Sequence, residues 1–232
     1  MCFPLLELMS HNHLVLSMCV KQTYKDLIAS KTWGSSSIGI LNGEQQVNAI
    51  CRACYYHLSN ISAIRSSLTK ESAEKLMHAF LSSKMDFCNS LLAFLPARLI
   101  KKIQRVQNAS ARVLTRTARR DHITPVLAEL HWLPVQYRIT YKIAMVTWKA
   151  LHDQAPAFLK DLIHIRHPRR DLCSSSEVIL DIDIPRTVIG KRAFKYAGPN
   201  IWNDLPAEIR CLESFSVFKK ELKPFLFTKA FN

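Results

Sequence analysis

Residues 98–120 read RLIKKIQRVQNASARVLTRTARR. Turned at about 100° per residue, Leu99, Ile103, Val106, Ser110, Val113 and Leu114 fall within roughly a third of the circumference, and the basic side chains gather in a neighbouring arc. That period predicts an amphipathic helix whose core face and charged face lie side by side. Pro96 stands where such a helix can begin, because a first-turn proline forfeits no backbone hydrogen bond. Arg98, Lys101, Lys102, Arg105, Arg112, Arg116, Arg119 and Arg120 supply the charge, and no carboxylate precedes Asp121 in the stretch. A solvated helix face ordinarily interleaves glutamates for i,i+4 pairing. Their absence favours a face that binds phosphates, with His122, beside Arg119 and Arg120, placed to contact a base or sugar.

Helical signals continue on both sides. Val47, Ile50, Cys51, Cys54, Leu58 and Ile61 recur at steps of one, three or four and predict a helix over 44–64. Thr69 is a candidate N-cap, with Glu71 and Glu74 where the helix dipole favours carboxylates. The helix it starts is expected to run, with a kink, through MDFCNSLLAFL. ITPVLAELHWLP reads as a short helix and VQYRITYKIAMVTWKALHD as a long one, followed by a shorter helix in AFLKDLI. HPRRDLCSSS reads as a basic, serine-rich loop, and EVILDIDIP alternates as a strand does. AFKYAGPNIWNDLP reads as turn-rich. A short helix from Pro206 and a last amphipathic helix, FSVFKKELKPFLF, capped by Ser214 or Ser216, close the chain. The expectation is a mainly α protein, an irregular multi-helix bundle with a small β-ribbon near residues 177–189. Its regions would be a leader over 1–37, a helical region over 38–167 and a carboxy-terminal subdomain over 168–232.

Composition agrees with that class. The 232 residues are 48% hydrophobic, enough for a core, and five glycines are few for the hairpins of an all-β fold. Lys and Arg number 32 against 18 acids, a net charge of +14, which points to a polyanionic partner: RNA, DNA or an acidic membrane surface. Seven scattered cysteines do not make a disulfide framework, so the expected setting is intracellular, nucleus or cytoplasm, rather than secreted. No apolar run approaches a membrane span, and neither a membrane nor a small-molecule substrate is expected as a partner.

Catalytic and metal signals are weak. Cys51 and Cys54 with His57 and His78 carry zinc-ligand residue types, but the two cysteines fall on one predicted helix and small apolar packing is the plainer account. Asp181 and Asp183 share one face of the predicted strand, where two carboxylates can hold a divalent ion, yet two acids separated by one residue are common by chance. No nucleophile elbow, P-loop or Gly-x-Gly loop occurs. The sequence therefore implies no cofactor. His131, Trp132 and Trp148 are further aromatics that could stack on bases, although tryptophans at helical spacing are usually core.

Several long blocks, in order, point further: MDFCNSLLAFLP, IQRVQNASARVLTRT, DHITPVLAELHWLPVQYRITYKIAMVTWKALH, AFKYAGPNIWNDLP and SFSVFKKELKPFLF. Over about residues 38–232 the chain resembles the carboxy-terminal portion of reverse transcriptase polyproteins of LINE-type, non-LTR retrotransposons of the jockey-like group. In that family this region follows the polymerase palm and begins near the end of the thumb, and Ile38 to Leu41 with QVNAICRACYYHLSNI resembles its entry. The resemblance implies a helical segment that helps to hold template RNA or target DNA, alongside other parts of a polyprotein. The family's catalytic aspartates and endonuclease lie upstream of the matching region, and this chain contains neither, so no polymerase activity is expected of it. A protein-interaction or structural module, or a decayed reading frame without a cellular role, is the alternative.

Overall fold

The computed structural model describes residues 43–87, 89–166, 178–187 and 190–232. They are mainly α-helical and divide into two compact units, one holding the described residues up to Leu91 with Leu95–Trp132, the other Leu92–Phe94 with Leu133–Asn232. The leader, the 38–41 part of the entry, the HPRRDLCSSS loop and the boundary expected near residue 167 lie outside the described residues.

The first unit is built on two long helices. α1 (Glu44–Ile64) buries Val47, Ile50, Cys54, Leu58 and Ile61. Thr69 caps α2 (Lys70–Met77) by accepting a bond from Ser72 N at 3.2 Å. A π-turn over His78–Ser82 links α2 to α3 (Ser83–Asp86). The continuation expected through MDFCNSLLAFL stops at Asp86, and a 3₁₀ turn over Asn89–Leu92 follows. α4 (Ala97–Thr115) is the helix of the opening stretch, with Leu99, Ile103, Val106, Gln107, Ser110, Ala111 and Leu114 buried. α5 (Ile123–Glu129) is short and sets Leu127 into the same unit. α1 and α4 run parallel, since Glu44 meets Arg98 at their starts and Arg65 meets Leu114 at their ends.

The second unit gathers around α6 (Val135–Leu151) and α10 (Phe215–Phe231), with α7 (Ala157–Lys160), α8 (Phe194–Asn203) and α9 (Ala207–Arg210) between them in sequence. Phe218 lies between Trp148 and Trp202, 5.9 Å from each ring centroid, and all three are buried. Both indole N–H groups are satisfied, Trp148 donating to Leu212 O and Trp202 to Val178 O. That combination of large apolar area and a paired polar tip makes the two tryptophans core residues rather than stacking platforms. Prolines 96, 134, 156 and 206 each immediately precede a helix, where their fixed φ suits the turn into it.

Two expectations change here. Among the described residues there is no strand, and in place of a ribbon a single antiparallel bridge joins Ile165 and Leu180. The reason is that side chains take the backbone partners a second strand would need. Asn203 accepts from Leu180 N and donates to Leu180 O, while Trp202 and Arg210 both donate to Val178 O. Residues 177, 188 and 189 lie outside the described set. The stretch read as turn-rich, AFKYAGPNIWNDLP, is instead helix α8, with Pro199 inside it. Pro199 falls in the sixth position, so the hydrogen bond it forgoes is one near the helix start. Gly198 serves packing: a Cβ there would lie 3.1 Å from Thr147 Oγ1 on α6 and 3.3 Å from the Phe194 ring.

Candidate nucleic-acid interface

The opening stretch does form a helix with adjacent apolar and basic faces, but its eight cations do three different things. Arg98 and Lys102 turn toward α1, where Glu44 receives both at 3.4 and 3.5 Å and Asn48 Oδ1 accepts from Lys102 at 3.1 Å. The neighbouring helix thus supplies the carboxylate that α4 itself lacks. These pairs are largely solvent-exposed, which limits what each contributes to stability to about 1 kcal/mol or less.

Arg112 and Arg116 organise the end of the helix. Arg112 reaches past the terminus, its Nη2 donating to Asp121 O at 2.8 Å and its Nε to Ala118 O at 3.4 Å. Asp121 Oδ2 accepts from Ala118 N at 3.1 Å and closes the same turn. Arg112 therefore fastens to α4 the loop that carries Arg119 and Arg120. Arg116 ends the helix in the left-handed region, φ 58°, and its guanidinium donates to Arg65 O at 3.3 Å.

Lys101, Arg105, Arg119 and Arg120 remain. All four are exposed, and none forms a hydrogen bond or ion pair with a described residue. Lys101 and Arg105 stand on α4 and Arg119 and Arg120 on the loop tied to it, all open to an anion. His122 is exposed at the residue preceding α5, and its side chain makes no capping bond.

A residue that sequence reasoning missed underlies this arrangement. Arg65, in the 3₁₀ turn after α1, is buried with its guanidinium on three carbonyls: Leu114 O at 2.7 Å, Leu68 O at 2.9 Å and Val113 O at 3.2 Å. The last carbonyls of a helix have no partner within it, and a guanidinium fork is well shaped to satisfy two of them while complementing the negative end of the dipole. An arginine in a polar Ser-rich break carries no sequence signal of burial. Only the distance of 49 residues to its acceptor shows its role.

The other candidate groups do not converge. Cys51 and Cys54 lie on α1 as free thiols. Burial, with Cys51 the next cause, raises the Cys54 thiol to about 11, and burial raises Cys51 against the lowering effect of Lys102. His57 stacks on Phe80, and His78 pairs with Ser82 Oγ and with Glu74. Asp181 and Asp183 are exposed, and Asp183 is bridged to Lys195. Among the described residues no three His, Cys, Asp or Glu side chains are grouped to hold a metal ion. Trp132 and Trp148 are buried, whereas His131 is exposed. An open depression of about 470 Å³ beside α4 is lined by Tyr55, Leu58, Ser59, Ser62, Ala63 and Val113, without a carboxylate, imidazole or thiol. No described helix is long and apolar enough to cross a membrane.

No protein-family model, curated protein or solved structure matches the chain.

Proposed function

We infer that the chain is a non-catalytic nucleic-acid-binding module of the kind that follows the palm in LINE-type reverse transcriptases. It contacts RNA or DNA phosphates through α4 and the loop beyond it. The observation that carries this reading is the set of exposed, unpartnered cations Lys101 and Arg105 on α4 and Arg119 and Arg120 on the loop that Arg112 ties to that helix. Exposed cations without a counter-charge keep their full attraction for phosphate, and releasing the counterions of a polyanion supplies most of the free energy of such binding. Contact of this sort fixes a strand without reading its bases, so sequence preference is expected to be small. His122, adjoining the loop, adds a sugar or base contact. The remaining sequence resemblance, in long ordered blocks, supports the same assignment.

Charge reversal tests it. Lys101→Glu with Arg105→Glu leaves the buried face of α4 untouched, so the variant should keep its helical circular dichroism. Its affinity for a labelled single-stranded RNA and for a DNA duplex, read by fluorescence anisotropy, should fall at least tenfold. Unchanged affinity in the folded variant refutes the reading. A protein-docking role finds one observation in its favour, the exposed rings of Tyr56 and Phe80 on either side of the half-buried His57, 5.4 and 5.1 Å from it.

A further inference from the structure

In the second unit α6 and α10 pack in opposite directions: Tyr137, early in α6, donates to Lys229 O late in α10, while Trp148 contacts Phe215 at the other ends. That packing sets Lys149, near the end of α6, beside the first turns of α10. Lys149 Nζ lies over the Phe215 ring, 4.7 Å from its centroid, and Lys219 Nζ lies over the same ring at 5.8 Å. Phe215 and Lys219 are four residues apart, so both stand on one face of α10. Two amines from different helices therefore share one aromatic platform.

Both side chains are half-buried, and neither amine forms a hydrogen bond or ion pair with a described residue. Asp153, the acid nearest to Lys149 in sequence, is engaged by Lys160, and the adjoining His152 stacks on Trp148. On α10, Glu221 points about 200° away from Lys219. Burial, then Lys219, lowers the Lys149 amine, and no carboxylate is among the causes. Desolvation and a cationic neighbour are the two means by which a lysine becomes nucleophilic, because only the neutral amine carries the lone pair that attacks carbon. The second ammonium, a compact point charge, suits a phosphate group.

We propose that Lys149 is a site of acylation by small acyl phosphates, with Lys219 holding the phosphate group while Lys149 Nζ attacks the acyl carbon. The bond that forms is N–C, and the bond that breaks joins the acyl carbon to the phosphate oxygen. Inorganic phosphate leaves with that electron pair, and the nitrogen releases a proton to solvent. An amide replaces the amine, and no oxidant or further reactant takes part. Because the amide is uncharged, acylation also removes one of two like charges that face each other. The assignment uses no residue of α4 and stands whether or not the chain binds nucleic acid.

The test incubates the full-length protein with acetyl phosphate and follows each lysine by peptide mass spectrometry, with the exposed Lys220 of α10 as the reference. Lys149 is expected to acetylate roughly fivefold faster than Lys220. Added inorganic phosphate should slow Lys149 and leave Lys220 unchanged. Lys219→Gln, folded by circular dichroism, should raise the acetyl phosphate concentration that half-saturates Lys149, and Lys219→Arg should restore it. With a neutral donor, N-hydroxysuccinimidyl acetate, Lys219→Gln should slow Lys149 less, because no phosphate is held. Lys149 reacting no faster than Lys220 overturns the proposal, as does a lack of protection by phosphate, and both are read on the wild-type protein. Equal slowing of Lys149 with the two donors in Lys219→Gln removes the phosphate seat and overturns it as well.

Discussion

At the scale of single residues, Arg65 shows how a buried cation can be structural in a protein of high positive charge. Its guanidinium donates to two carbonyls at the end of α4, Val113 O and Leu114 O, and to Leu68 O beside its own turn, and is shielded from water. Hydrogen bonds from charged donors contribute roughly 1.5–3 kcal/mol each, and orphaned helix carbonyls are costly to bury. Arg65→Ala should therefore cost about 2–4 kcal/mol, read as a lower urea midpoint. Arg65→Lys should recover only part of it, because one ammonium cannot span two carbonyls as a planar fork does. A midpoint within experimental error of wild type for Arg65→Ala would show that the contacts add nothing net. This residue could not have been found in the sequence, where it lies between an amphipathic run and a serine pair, with partners nearly fifty positions away.

At the scale of elements, α4 was legible because its period is strong and its faces are chemically distinct, and the same holds for α1 and α6. The cap at Thr69 was legible too, since a hydroxyl before a first turn rich in acids has a local cause. What was not legible depended on distant partners. Alternation in EVILDIDIP states which side chains could share a face but not whether a strand is there to pair, and Asn203, Trp202 and Arg210 fill that place. α8 was obscured by Gly198 and Pro199, ordinarily breakers, which are retained where α8 approaches Thr147 on α6. In the basic face, Glu44 on another helix engages Arg98 and Lys102, a pairing invisible within the stretch itself. The end of α4 yields its own prediction. Arg116 occupies a left-handed position where glycine is the usual residue. Arg116→Gly should raise stability by about 1 kcal/mol, the usual cost of that conformation for a residue with a Cβ, seen as a higher urea midpoint. The same change should weaken RNA binding slightly, through the lost cation. A lower midpoint would mean that the bond to Arg65 O outweighs the backbone strain.

At the scale of the whole molecule, the chain carries +14, and its two units bring cations together in different ways. In the first, Arg112 fastens the loop of Arg119 and Arg120 to the helix of Lys101 and Arg105. In the second, Lys149 of α6 and Lys219 of α10 both lie over the Phe215 ring. The most direct measurement is the salt dependence of single-stranded RNA affinity for wild type and for a folded Lys101→Gln, Arg105→Gln, Arg119→Gln, Arg120→Gln variant. If these four side chains grip phosphates, the wild-type log–log slope is steep and the variant's is shallower by about 2.8, or about 0.7 per contact. Identical slopes in the two proteins would contradict the account, placing the charge of α4 on some other surface or on no partner at all.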